Sequence, residues 1–204
     1  MVIPMEYTHF GYEYLYKISS SLIHSGVDLN YGKPYQDFKK PIKSMANGEV
    51  VFSKNTGNGW GNLIVIYHAA YGVWTRYAHL ERRDVKEGDK VSEGQTIGLC
   101  GDSGGTWAPH LHFDVIKKEL PYWTKYTRLW SRAKVKEFYH APLEYIAEMN
   151  EAEDNEPAIV KWHKDNKIIE VWESPPSPEE LKLGWAIYKG LKVNSETELN
   201  FNLK

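Results

Sequence analysis

A chain of 204 residues is long enough to bury a real core, and 25 Lys and Arg against 27 Asp and Glu leave a formal net charge of −2, with no global pull towards nucleic acid. The single cysteine, Cys100, excludes an intramolecular disulfide framework. No apolar run approaches the about 18 residues that a membrane span requires.

The chain opens with MVIPMEYTHFGYEYLYK, which has no basic stretch followed by an apolar one, so no export signal is expected in it. In HSGVDL, His24 and Asp28 stand four apart, a spacing that would share one face of a helix. Gly26, Val27 and the following Leu29-Asn30-Tyr31-Gly32 argue instead for an extended segment entering a turn, where the two side chains have to converge through loop geometry. GEVVFS, LIVIY, VWTRYA, KVSEGQTIGL and HLHFDVI are short apolar or alternating runs, separated by turn signals such as NTGNGWGN and DSGG. VKEGDKV and VSEGQTI form a tandem near-repeat with glycine at matching places. The pattern predicts a mainly β fold, a compact antiparallel barrel-like sandwich. A biotinyl or lipoyl carrier domain uses similar turns, but it needs a lysine at a hairpin tip in a motif like MKM, and the chain has none.

On a strand, His110 and His112 of HLHFDVI point the same way, roughly 7 Å apart, with Leu111 turned to the core. His68 is expected to end a strand and to support the site at most, and His9, His140 and His163 to be ordinary surface or core residues. Cys100, in GLCGDSGG, reads as a small strand residue close to the site but outside it.

Residues 117–140 are basic and aromatic, with seven Lys or Arg from Lys117 to Lys136 against Glu119. The spacing of Leu129, Trp130, Ala133 and Phe138 predicts an amphipathic helix from about Thr124, a helical insertion. APLEYIAEMN is expected to close a first domain over 1–149, with NEAEDNEP as an acidic linker over 150–157. Residues 158–204 read as a small α+β extension: a hairpin turned at Asp165-Asn166, then a helix capped by Ser177 with Pro178 at its first position and Leu181, Trp185 and Tyr188 on its apolar face. Trp162 and Trp172 could stack on sugar or pack on the first domain, and in a module this small, without staples, packing is the expected use.

Five residues carry the chemistry: His24 and Asp28, His79 in RYAHL, and His110 and His112. Zn²⁺ takes imidazole nitrogen and carboxylate oxygen, and a catalytic site uses three protein ligands and leaves a fourth position open. The chain offers more candidates than that, and the spacing alone leaves both histidines of HLH open as ligands. No glutamate follows a ligand as in HExxH, which disfavours a glutamate base.

From His24 to Val115 these motifs, HSGVDL, ANGEVV, GWGNLIVIYH, RYAHL, VKEGDKVSEGQTIGLCGDSGG and APHLHFDV, occur in an order that resembles the lysostaphin-type (LytM-type) zinc endopeptidases that cut peptidoglycan cross-links. The resemblance implies that His24, Asp28 and His112 bind one Zn²⁺, and that His79 and His110 line the site and assist catalysis without binding it. It also implies hydrolysis by a zinc-activated water, one histidine taking the proton and the other stabilising the oxyanion or protonating the leaving amine. In some relatives a tyrosine upstream of the first ligand helps the oxyanion, and Tyr16 or Tyr14 is the candidate here. The implied partner is the peptide cross-link of bacterial peptidoglycan, met outside the cytoplasmic membrane. Without an export signal, a phage lysin, a virion-borne lysin or a trimmed secreted protein fits that location. The basic 117–140 segment then reads either as a groove wall or patch for anionic wall polymers, or as an ordinary packed helix. The alternative to an enzyme is a catalytically silent wall-binding or virion scaffold with the same fold.

Overall fold

The computed structural model describes residues 1–57, 59–105 and 107–154. In chain order its strands are β1 (His9–Phe10), β2 (Lys17–Ser19), β3 (Leu22–Ile23), β4 (Val27–Asn30), β5 (Pro41–Lys43), β6 (Gly48–Asn55), β7 (Asn62–His68), β8 (Val73–Leu80), β9 (Arg82–Arg83), β10 (Lys90–Val91), β11 (Thr96–Leu99) and β12 (Leu111–Ile116). Helix α1 (Arg132–Phe138), strand β13 (Tyr139–His140) and helix α2 (Pro142–Asp154) follow. The mainly antiparallel β fold expected of the sequence is the observed one. An eight-stranded sheet runs in the order β1-β4-β12-β8-β7-β6-β10 with β13 beside β12, a three-stranded sheet in the order β5-β11-β9, and β2 pairs with β3.

Alternation along the strands decides what each face carries. Val27 and Leu29 of β4, Tyr77 of β8, and Leu111, Phe113 and Val115 of β12 enter the main core, where Ile42 of β5 and Ile97 of β11 meet them. The residues in between, Asp28, Arg76, Ala78, His112 and Asp114, therefore emerge on the opposite face. The unbroken apolar run of β7 has the same origin: Ile64 and Ile66 fill the main core, while Leu63 and Val65 pack with Trp60 and Ala78 on the other side.

The near-repeat forms the same turn twice. Gly88 and Gly94 sit at φ 89° and 72°, a left-handed backbone that glycine adopts without penalty. At the matching positions the Asp89 side chain accepts the Lys86 N–H and the Gln95 side chain the Ser92 N–H. KVSEGQTIGL is consequently two short strands, β10 and β11, in different sheets.

Two expectations change. Val27–Asn30 is extended as expected, but as strand β4 it places Asp28 by sheet register and not by loop geometry. The helix expected from about Thr124 begins only at Arg132, where the Ser131 side chain accepts the Lys134 N–H. Upstream, backbone carbonyls are taken by core side chains: Trp60 Nε1 donates to Thr124 O, and Arg76 Nη1 to Trp123 O and Lys125 O. A helix would have claimed those acceptors for itself. Leu129, expected on the apolar face, is 82% exposed at φ 63°. The chain divides into two units after Met149, and α2 is helical to Asp154, into the stretch expected to be linker. The hairpin and helix expected beyond it lie outside the described residues.

His68 ends β7, fully buried, with Nδ1–H donated to Asn47 O at 2.9 Å and Nε2 2.7 Å from the Thr75 hydroxyl. Burial pushes its pKa down, against the pull of the Asn47 carbonyl. The unfolded chain, with imidazole near about 6.5, therefore takes up this proton first as pH falls. The contribution of His68 to stability is present above about pH 6.5 and is lost below it. Urea unfolding at about pH 7.5 and about pH 5 should show the loss, and His68→Asn, which keeps a donor for Asn47 O and cannot titrate, should show a smaller one. An equal loss in both proteins would assign it to other groups.

Candidate active site

Asp28 and His112 are direct neighbours in the β4–β12 register. His24 reaches them from the segment between β3 and β4, which crosses β12 closely at Gly26. A Cβ there would stand 2.1 Å from Phe113 O, so only glycine allows the approach. The result is a triangle of donor atoms: His24 Nε2 lies 3.1 Å and His112 Nδ1 3.0 Å from Asp28 Oδ1, and the two nitrogens are 2.9 Å apart. All three residues are buried.

The far side of each imidazole fixes which nitrogen faces the centre. His24 donates Nδ1–H to Glu13 O at 3.1 Å, and His112 Nε2 faces Asp114 Oδ2 at 2.9 Å. These acceptors turn His24 Nε2 and His112 Nδ1 towards Asp28. Burial would raise the Asp28 pKa, but hydrogen bonds from His112 and His24 hold it well below the carboxylate range. Burial would lower His112, but Asp114 and Asp28 outweigh it and lift the imidazole to about 9. Two nitrogens and one carboxylate oxygen, 2.9–3.1 Å from one another, suit Zn²⁺ in both type and number.

His79 and His110 flank this group. His79, at the end of β8, donates its backbone N–H to Trp60 O and Nδ1–H to Ser103 O at 3.1 Å. His110 donates Nδ1–H to Ala108 O at 2.9 Å, and its Nε2 is 4.0 Å from Asp28 Oδ1. Both thus carry their lone pair on Nε2, and the two rings are 4.8 Å apart. Burial, reinforced by His110 and His112, pushes His79 down to about 3. His79 also holds φ 63°, a strained backbone for a residue with a Cβ.

The five residues line a groove of about 540 Å³, walled by Tyr12, Trp60, Trp107 and Tyr126. Among the described residues lining it there is no Lys, Arg or Glu.

The sequence model of Peptidase family M23 matches residues 22–123, half of the chain, and spans all five of these residues. The chain belongs to peptidase family M23. Among curated proteins it is similar to the peptidoglycan DD-endopeptidase ShyA of Vibrio cholerae, 42% identical over 81 residues, which is 40% of this chain and 18% of that protein. The glycyl-glycine endopeptidase ALE-1 of Staphylococcus capitis is 36% identical over 92 residues, 44% of this chain and 24% of that protein. The chain thus spans about a quarter or less of the length of these relatives. In three dimensions it resembles the catalytic domain of the antimicrobial peptidase lysostaphin from Staphylococcus simulans, with a TM-score of 0.53 and 26% identity over 68% of this chain and 92% of that one.

Within this M23 domain the expected tyrosines lie elsewhere. Tyr16 is 51% exposed, stacked on Tyr12 at 4.8 Å and not among the lining residues, and Tyr14 donates its hydroxyl to Tyr139 O. The tyrosine upstream of His24 that lines the groove is Tyr12, placed there because β1 pairs with β4 and the chain beyond β1 stays beside Asp28, whose N–H bonds to Tyr12 O. No spacing in the sequence signals that pairing. Trp60, to which the GWGN spacing assigns no role, packs edge-on to His112 with centroids 5.0 Å apart and stacks on Tyr126 at 4.6 Å. Tyr126 and Thr127, from the segment expected to be helix, line the groove as well. Cys100 is fully buried outside it, and burial raises its thiol pKa, which leaves it no nucleophilic role.

Proposed function

We propose that the chain is a zinc metalloendopeptidase that hydrolyses peptide cross-links of bacterial peptidoglycan, with one Zn²⁺ held by His24, Asp28 and His112. The observation that carries this reading is the triangle of His24 Nε2, Asp28 Oδ1 and His112 Nδ1 at the base of an open groove. Bound there, Zn²⁺ supplies an activated water and polarises the scissile carbonyl.

The remaining chemistry belongs to the side chains. His79 and His110 each turn Nε2 to the groove with Nδ1–H held by a carbonyl, so a ring that takes the proton of the attacking water on Nε2 can hand that same proton to the leaving amine. The carbonyls of Ser103 and Ala108 hold both rings in that tautomer. Tyr12, Trp60, Trp107 and Tyr126 flank the peptide and limit bulk water. The named relatives include a DD-endopeptidase and a glycyl-glycine endopeptidase, so membership of family M23 leaves the cross-link type open. Such a substrate places the reaction outside the cytoplasmic membrane; among the described residues no helix is long and apolar enough to cross one.

The test is turbidity loss of purified cell walls. The protein as prepared should clear the suspension, a chelator should stop it, and added zinc should restore it. Wall binding without clearing, in a zinc-loaded protein, would favour the silent scaffold.

A further inference from the structure

We propose that Asp114 and Arg76 are positioning residues of the zinc site, orienting His112 from behind and tying it to the groove wall. The proposal rests on the zinc reading of His24, Asp28 and His112. Arg76 of β8 and Asp114 of β12 are register partners, and both side chains are fully buried. A single oxygen, Asp114 Oδ2, accepts from three donors: His112 Nε2 at 2.9 Å, Arg76 Nε at 2.6 Å and Arg76 Nη2 at 2.5 Å. His112 can rotate only by breaking that bond, so the carboxylate fixes Nδ1 on the metal side and makes it a more basic ligand.

Arg76 extends the same control to the other parts of the site. Nη1 donates to Trp123 O and Lys125 O, which anchors the segment that brings Tyr126 to the groove. Nη2 is 3.4 Å from the hydroxyl of Ser25, next to the ligand His24. The guanidinium also lies 3.9 Å over the Trp60 ring, which itself packs against His112. Stability alone does not account for the pair, because a buried ion pair replaced by apolar side chains of similar volume often leaves a protein as stable or more so. What an apolar pair cannot do is accept the His112 N–H.

The test is zinc affinity of the full chain, measured by competition with a chromophoric chelator, together with the absorption spectrum of the Co²⁺-loaded protein. Asp114→Asn keeps the shape and removes the charge; Arg76→Met with Asp114→Leu removes both charges and leaves none buried alone. Each should weaken zinc binding by about 10- to 100-fold and shift the Co²⁺ bands. Ile66→Val, in the main core, should unfold more easily and keep both readouts. Folded Asp114→Asn or double variant with native zinc affinity and an unchanged Co²⁺ spectrum would overturn the proposal. Absence of zinc binding by the unaltered protein would instead overturn the reading it rests on.

Discussion

Alanine at Asp28 or at His112 is expected to remove zinc and cleavage together. A catalytic zinc site works with three protein ligands, and each of these residues supplies one of only three donor atoms that meet in the triangle. Losing Asp28 also removes the sole negative charge among them, so two imidazoles are left to bind a dication. Losing His112 leaves Asp114 paired with Arg76 and the metal position open on one side. Elemental analysis of the purified variants should find most of the zinc gone, against about one ion per chain in the unaltered protein. Full zinc retention in both variants would refute the ligand assignment.

His79→Ala and His110→Ala should behave differently: zinc stays and cleavage falls by about 10²- to 10⁴-fold, the usual worth of general acid–base help. The geometry behind this expectation is the 4.0 Å between His110 Nε2 and Asp28 Oδ1, wider than the 2.9–3.1 Å that separates the three ligand atoms. His79 adds a check on cause. Because its backbone is left-handed, His79→Gly should be at least as stable as His79→Ala and equally poor in cleavage. Zinc content and the rate on a soluble cross-bridge peptide decide the matter. If His110→Ala loses the metal, both histidines of HLH are ligands and the division of roles fails.

Much of this is legible in the amino-acid sequence. Strict alternation in HLHFDV puts Leu111, Phe113 and Val115 in the core and leaves His112 on the other face, as a period of two requires. What alternation does not contain is register. His24 and Asp28 were expected to meet through a loop, whereas Asp28 is delivered by the pairing of β4 with β12 and His24 by a glycine crossing. The same gap hides Arg76 and Asp114: Arg76 opens RYAHL and Asp114 follows HLHF, and only the β8–β12 ladder makes them a pair. The 117–131 segment misled for another reason. Its apolar spacing suits a helix, but Trp60 and Arg76 compete for its carbonyls from elsewhere in the chain, and local periodicity carries no information about such distant donors. Tyr12 was missed likewise, since only the β1–β4 pairing brings it to the groove.

The most direct test of the central claim is mass spectrometry of the fragments released from purified peptidoglycan. Zinc-loaded protein should release products with a new amine and a new carboxyl at a peptide bond of the cross-link, with the glycan strands intact, and His112→Ala should release none. Fragments ending at glycosidic bonds, or the same peptide products from His112→Ala, would contradict it.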